Sequence, residues 1–67
     1  MANPRSELHT LIGKRERMEK RVNMGNSSAE KKFIQYKKEV EDFLKKHPEL
    51  KDQVEIIEDH FFKQLYK

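Results

Sequence analysis

Residues 43–54 read Phe-Leu-Lys-Lys-His-Pro-Glu-Leu-Lys-Asp-Gln-Val, FLKKHPELKDQV. A proline pushes the residue before it out of the α region, so His47-Pro48 breaks any single straight helix through this stretch. Proline is at home in the first turn of a new helix, where its missing N–H has no partner to lose. The stretch therefore predicts one helix ending near Lys46 and another starting near Glu49. Lys45, Lys46 and His47 suit the negative pole of the first; Glu49 and Asp52 suit the positive pole of the second. A link this short favours an antiparallel pair.

Upstream, Ser27-Ser28-Ala29-Glu30 has the spacing of a capping box, with the Ser27 hydroxyl accepting from the N–H of Glu30 and the Glu30 carboxylate reaching back. Before it, NMGNSS (residues 23–28) offers Asn23 or Gly25 for the left-handed residue that ends many helices. Asn3-Pro4 supplies a preferred N-cap followed by a first-turn proline. These signals predict an all-α domain spanning residues 1–67, with helices at about 4–23, 28–46 and 49–66. The expected architecture is a hairpin of the second and third helices plus a basic N-terminal helix.

At about 100° per residue each helix shows a stripe. The second carries Ala29, Phe33, Tyr36, Val40, Phe43, Leu44 and His47. The third carries Leu50, Val54, Ile57, Phe61 and Leu65. These two predict the main core, with Phe33, Val40, Phe43, Leu44, Val54, Ile57, Phe61 and Leu65 most buried. The first helix offers a thinner stripe of Leu8, Leu11, Ile12, Met18 and Val22, interrupted by Arg15. It reads as the least securely packed element, or as one that packs on another chain. Burying an unpaired guanidinium is costly, so Arg15 is expected to reach solvent along its stem or to pair with Glu55 or Glu58.

With 67 residues, 34% of them apolar, 40% charged and none cysteine, the chain has a small core and no disulfide to support it. No apolar run approaches the roughly 18 residues of a membrane span, and no secretory h-region is visible, so a cytoplasmic location is expected. The net charge of +3 is uneven. Residues 1–33 hold eight Lys or Arg against four Glu, whereas residues 34–67 hold seven Lys against eight Asp or Glu. Lys14, Arg17, Lys20 and Arg21 share one side of the first helix. Such a face is a solvated surface, a contact for an acidic partner, or a contact for phosphates. Glu7, Glu16 and Glu19 interrupt it, and Asp52, Glu55, Glu58 and Asp59 on the third helix would repel nucleic acid. No helix shows the Asn, Gln and Arg array that reads base edges.

His9, His47 and His60 have no metal-ligand spacing, and Gly13 and Gly25 make no phosphate loop. No catalytic constellation, metal site or cofactor is expected. The remaining signal is the pairing of apolar residues near the end, Ile56-Ile57 and Phe61-Phe62. A helix can turn only one of each pair inward. Phe62 and Tyr66 lie beside the main stripe, and Ile56 nearly opposite it. They either widen the packed face toward the first helix or form an interface patch, for which aromatics are favoured. Incomplete coverage by the first helix is expected, leaving Phe62 and Tyr66 open to a second chain. The sequence thus points to a non-enzymatic protein-binding regulator, of adaptor or inhibitor type. Its contact residues would be Phe62, Tyr66, Ile56 and Arg15, and its partner another protein or a second copy of the chain. The alternative is a nucleic-acid-binding regulator that uses the basic face of the first helix.

Overall fold

In the computed structural model, which describes residues 3–66, Asn3 caps the first helix as its sequence implies. Its Oδ1 accepts from the N–H of Arg5 at 2.9 Å, and Pro4 fills the first turn. Helix α1 spans Pro4–Asn23, α2 spans Ala29–Lys46, and α3 spans Lys51–Leu65. A 3-10 turn, Pro48–Leu50, joins α2 to α3, so the regular part of the third helix starts two residues later than expected. His47 takes the extended φ of −130° that a following proline imposes, and its N–H donates to the Phe43 carbonyl to close α2. The expected domain runs over 1–67; its Met1, Ala2 and Lys67 lie outside the described residues.

The turn between α1 and α2 departs from its expected form. α1 ends in a Schellman motif, in which Asn26 N–H donates to the Arg21 carbonyl at 2.9 Å and Gly25 N–H donates to the Val22 carbonyl at 3.0 Å. Gly25 takes the left-handed residue at φ +93°, a conformation that costs glycine nothing. Asn23 remains the last helical residue. The capping box does not form, and Ser28 precedes α2 without a side-chain cap. The Glu30 N–H donates to the Ser27 carbonyl at 3.2 Å and not to its hydroxyl, and Asn26 braces the turn: its Oδ1 accepts from the Ser28 hydroxyl at 2.6 Å and from the Ser28 N–H at 3.2 Å. An Asn side chain bonding two residues ahead is a common turn device, and here it holds the entry to α2 in place of Ser27. Accordingly, Asn26→Ala should lower stability by roughly 0.5–1 kcal/mol, while Ser27→Ala stays within about 0.5 kcal/mol of the wild type. Urea unfolding of the two variants checks this ordering.

The centre of packing also differs from expectation. Leu8 and Ile12, both on α1, are fully buried at 0% exposure, and they join Val40, Ile57 and Phe61 in the core. Close helix contacts run from α1 to α2 and from α1 to α3, whereas α2 and α3 touch each other only sparsely. The first helix is therefore the hub of the fold. Lys14 sits against Tyr36, and Glu7 and Leu11 line a surface cleft with Phe43 and Lys46, so α1 and α2 are antiparallel. Arg5 Nε donates to Gln53 near the start of α3, and the Lys20 ammonium donates to the Leu65 carbonyl at its end, so α1 and α3 are parallel. It follows that α2 and α3 run antiparallel, as their short link implies.

A stripe flanked by two helices is buried from both sides, and this position outweighs its modest apolar content. The second and third stripes face one neighbour closely. Phe43, Leu44, Val54 and Leu65 are half-buried against the core, and Phe33 is half-buried outside it. Gly13 explains how α3 comes so near. A Cβ there would stand 2.8 Å from Phe61 Cζ, so the bare backbone of α1 forms the seat of the Phe61 ring.

Candidate functional site: an aromatic flank beside a basic cleft

α3 turns Ile57 and Phe61 inward, which leaves Ile56 and Phe62 outward on the same helix. Phe62 is 59% exposed and Tyr66 40% exposed. Their rings lie 5.0 Å apart, tilted by 31°, as residues four apart on a helix should. Coverage by α1 is thus incomplete, and what exists falls on Tyr66. The Asn23 amide donates to its hydroxyl at 3.5 Å, and the Lys20 ammonium stands 5.8 Å above its ring. Ile56 is likewise 59% exposed, but six residues at 100° each place it about 120° around the helix from Phe62. It belongs to a different side of α3 from the aromatic pair.

Arg15 sits on the inner side of α1 with its side chain only 14% exposed. Its guanidinium pairs with Glu16 and with Glu58, each at 2.9 Å. Pairing with Glu58 is one of the two outcomes the apolar stripe around Arg15 demanded, because a lone cation there would lack compensation. Glu16 is the unexpected member. It reads as an interruption of the basic face, yet among the described residues it is the buried charged one, at 8% exposure. Among the described residues no buried side-chain nitrogen or oxygen lacks a partner, so this charge cluster is fully satisfied. Arg15 is engaged within the fold, and its partner Glu58 stands four residues before Phe62, one turn from the aromatic pair.

The remaining cations of α1 divide. Lys14, Arg17 and Arg21 are exposed, and among the described residues none of them lies within ion-pair distance of an acid. Lys14 rests 5.9 Å over the Tyr36 ring. Lys20 is half-buried and leaves the solvated face, because its ammonium donates to the Leu65 carbonyl at 2.6 Å. A lysine near a helix C-terminus satisfies carbonyls that have no partner within the helix, and here it does so for the neighbouring α3. Between the helix ends lies an open cleft of about 310 Å³, lined by Arg17, Lys20, Arg21, Met24 and Leu65. Met24 is 75% exposed, the most open large apolar side chain of the described residues. Sequence reading had no means to find the cleft, since it depends on how α1 and α3 meet.

The structure also brings His9 and His60 together, with ring centroids 5.6 Å apart and both packed against Phe61. No group of three metal-ligating side chains occurs among the described residues. No helix of the described residues is long and apolar enough to cross a membrane. No family model matches the chain, and no curated protein or solved structure matches it.

Proposed function

We propose that this chain is a small, non-enzymatic, cytoplasmic regulator that binds another protein through the flank of α3. The observation that carries the reading is the stacked, exposed pair Phe62 and Tyr66 beside a core already closed by α1. Aromatic side chains offer large contact area with few rotors to freeze, which is why they anchor interfaces. The core needs neither ring for closure, since Ile57 and Phe61 fill the α1 seam themselves. Ile56 lies on another side of α3, and Arg15 is committed to Glu16 and to Glu58 one turn before Phe62, so the proposed surface centres on the two aromatics.

A second reading, nucleic-acid binding, draws support from the unpaired exposed cations Lys14, Arg17 and Arg21. Capture experiments separate the two. The wild-type chain and a Phe62→Ser/Tyr66→Gln variant serve as bait in extract of the source cell, with and without nuclease. The expected result is one protein recovered regardless of nuclease and lost with the variant. Recovery that vanishes with nuclease and persists with the variant would refute the protein-binding reading. A second copy of the chain as partner shows instead as a concentration-dependent dimer in sedimentation velocity, abolished by the same variant.

A further inference from the structure

The aromatic pair and the basic cleft form one continuous surface. Lys20 joins them, since its ammonium holds the Leu65 carbonyl and overlooks the Tyr66 ring. We infer that this surface takes an acidic amphipathic segment of the partner, whose apolar side chain enters the cleft over Met24 and Leu65 while its carboxylates meet Arg17 and Arg21. The inference rests on the protein-binding reading above and adds the chemistry of the partner.

Three observations support it. First, the cleft pairs an apolar floor with a cationic rim. At about 310 Å³ it lies at the small end of ligand pockets, the scale of an anchor side chain. Met24 suits such a floor, because an unbranched thioether side chain reshapes around what it meets. Second, the rim charges are uncompensated. Arg15 has its carboxylates within the fold, but Arg17 and Arg21 have none among the described residues. Arginine binds carboxylates through two parallel N–H donors, which fixes orientation as well as charge. Third, the surroundings favour a short acidic segment over a long polyanion. α3 exposes Asp52, Glu55 and Asp59, the last paired with Lys63 at 3.0 Å, so any polyanion extending from the cleft along α3 meets carboxylates, and the acidic groups of the segment are confined to Arg17 and Arg21. The Phe62 and Tyr66 rings also stack on each other, so each has one face already engaged.

Peptide titrations followed by backbone amide NMR test the inference on the whole chain. The first probe is a helical peptide with a Leu and Phe stripe flanked by Glu. The second carries Lys at every Glu position, and the third is a dT15 oligonucleotide. The acidic peptide should shift the amides of Arg17, Lys20, Arg21, Met24 and Leu65 and those around Phe62, and the Lys peptide should not. Arg17→Glu/Arg21→Glu should weaken the acidic peptide at least tenfold. Met24→Glu, a change at an exposed position outside the helices, should do the same and guards against a folding effect of the double variant. Equal binding of the two peptides, or shifts mapping elsewhere, would overturn the inference. So would oligonucleotide binding at these amides without peptide binding. Loss of natural-partner capture with Phe62→Ser/Tyr66→Gln but not with Arg17→Glu/Arg21→Glu would leave the protein-binding reading standing and remove the acidic partner.

Discussion

Ile12→Ala is expected to leave most of the chain unfolded at room temperature. Ile12 has no exposed surface and stands where α1 meets both other helices. Removing its branched chain forfeits the transfer energy of the lost carbons and leaves a cavity, a combined cost of about 2–5 kcal/mol. A core in a chain this short rarely supplies more than about 3–5 kcal/mol, so the substitution consumes most of the margin. Leu8→Ala should act alike. Phe43→Ala should be milder than either, because Phe43 is half-buried at the edge of the core. Far-UV circular dichroism against temperature gives the comparison. An Ile12→Ala protein with the helicity and midpoint of the wild type would mean that α1 is not the hub.

The second large effect concerns the buried charge. Arg15→Ala should destabilise the fold by roughly 3 kcal/mol, because it leaves Glu16, at 8% exposure, without its guanidinium. Glu58, with its side chain 42% exposed, can recover water and should contribute little to the loss. The joint replacement Arg15→Met/Glu16→Met is the informative control. It removes the guanidinium together with the buried carboxylate and keeps apolar volume between the helices, so it should cost far less than Arg15→Ala, and buried pairs replaced in this way are often no less stable. Chemical denaturation of both variants separates the cost of an orphaned carboxylate from the worth of the pair. Equal losses in the two variants would show that the packing of the arginine stem matters more than its charge.

Local signals in the sequence translated well into structure. Asn3-Pro4, Gly25 and His47-Pro48 act through backbone geometry within one turn, so neighbours cannot override them easily. The Ser27 capping box failed for an equally local reason: the Glu30 N–H goes to the Ser27 carbonyl, while Asn26 braces the turn through the Ser28 N–H and hydroxyl. The stripe residues Val40, Ile57 and Phe61 were legible because helical periodicity reports which side of a helix is apolar. Periodicity does not report how many neighbours that side has. Leu8 and Ile12 became the deepest residues because α1 lies between two helices, a fact of tertiary arrangement that no stripe encodes.

The same distinction applies to the candidate site. An arginine in the middle of an apolar stripe forces a choice of partners, so its bond to Glu58 could be anticipated from composition. The burial of Glu16 had a weaker signal: it stands four residues after Ile12 on the same row, but a carboxylate there reads as a solvated flank until Arg15 pairs with it. The exposure of Ile56 and Phe62 followed from the doubled apolar pairs, as one member of each must turn away from the core. The attachment of Lys20 to the Leu65 carbonyl was hidden, because backbone acceptors at a helix end carry no sequence signature.

The central claim is that α1 closes the core on Ile57 and Phe61 and leaves Phe62 and Tyr66 as surface. Its most direct test is the thermal midpoint of the monomeric Phe62→Ser/Tyr66→Gln protein. Two exposed side chains should contribute no more than about 1 kcal/mol to the fold, so the midpoint should fall by less than about 8 °C with helicity retained. A collapse of helicity at room temperature would contradict the claim and make both aromatics part of the core.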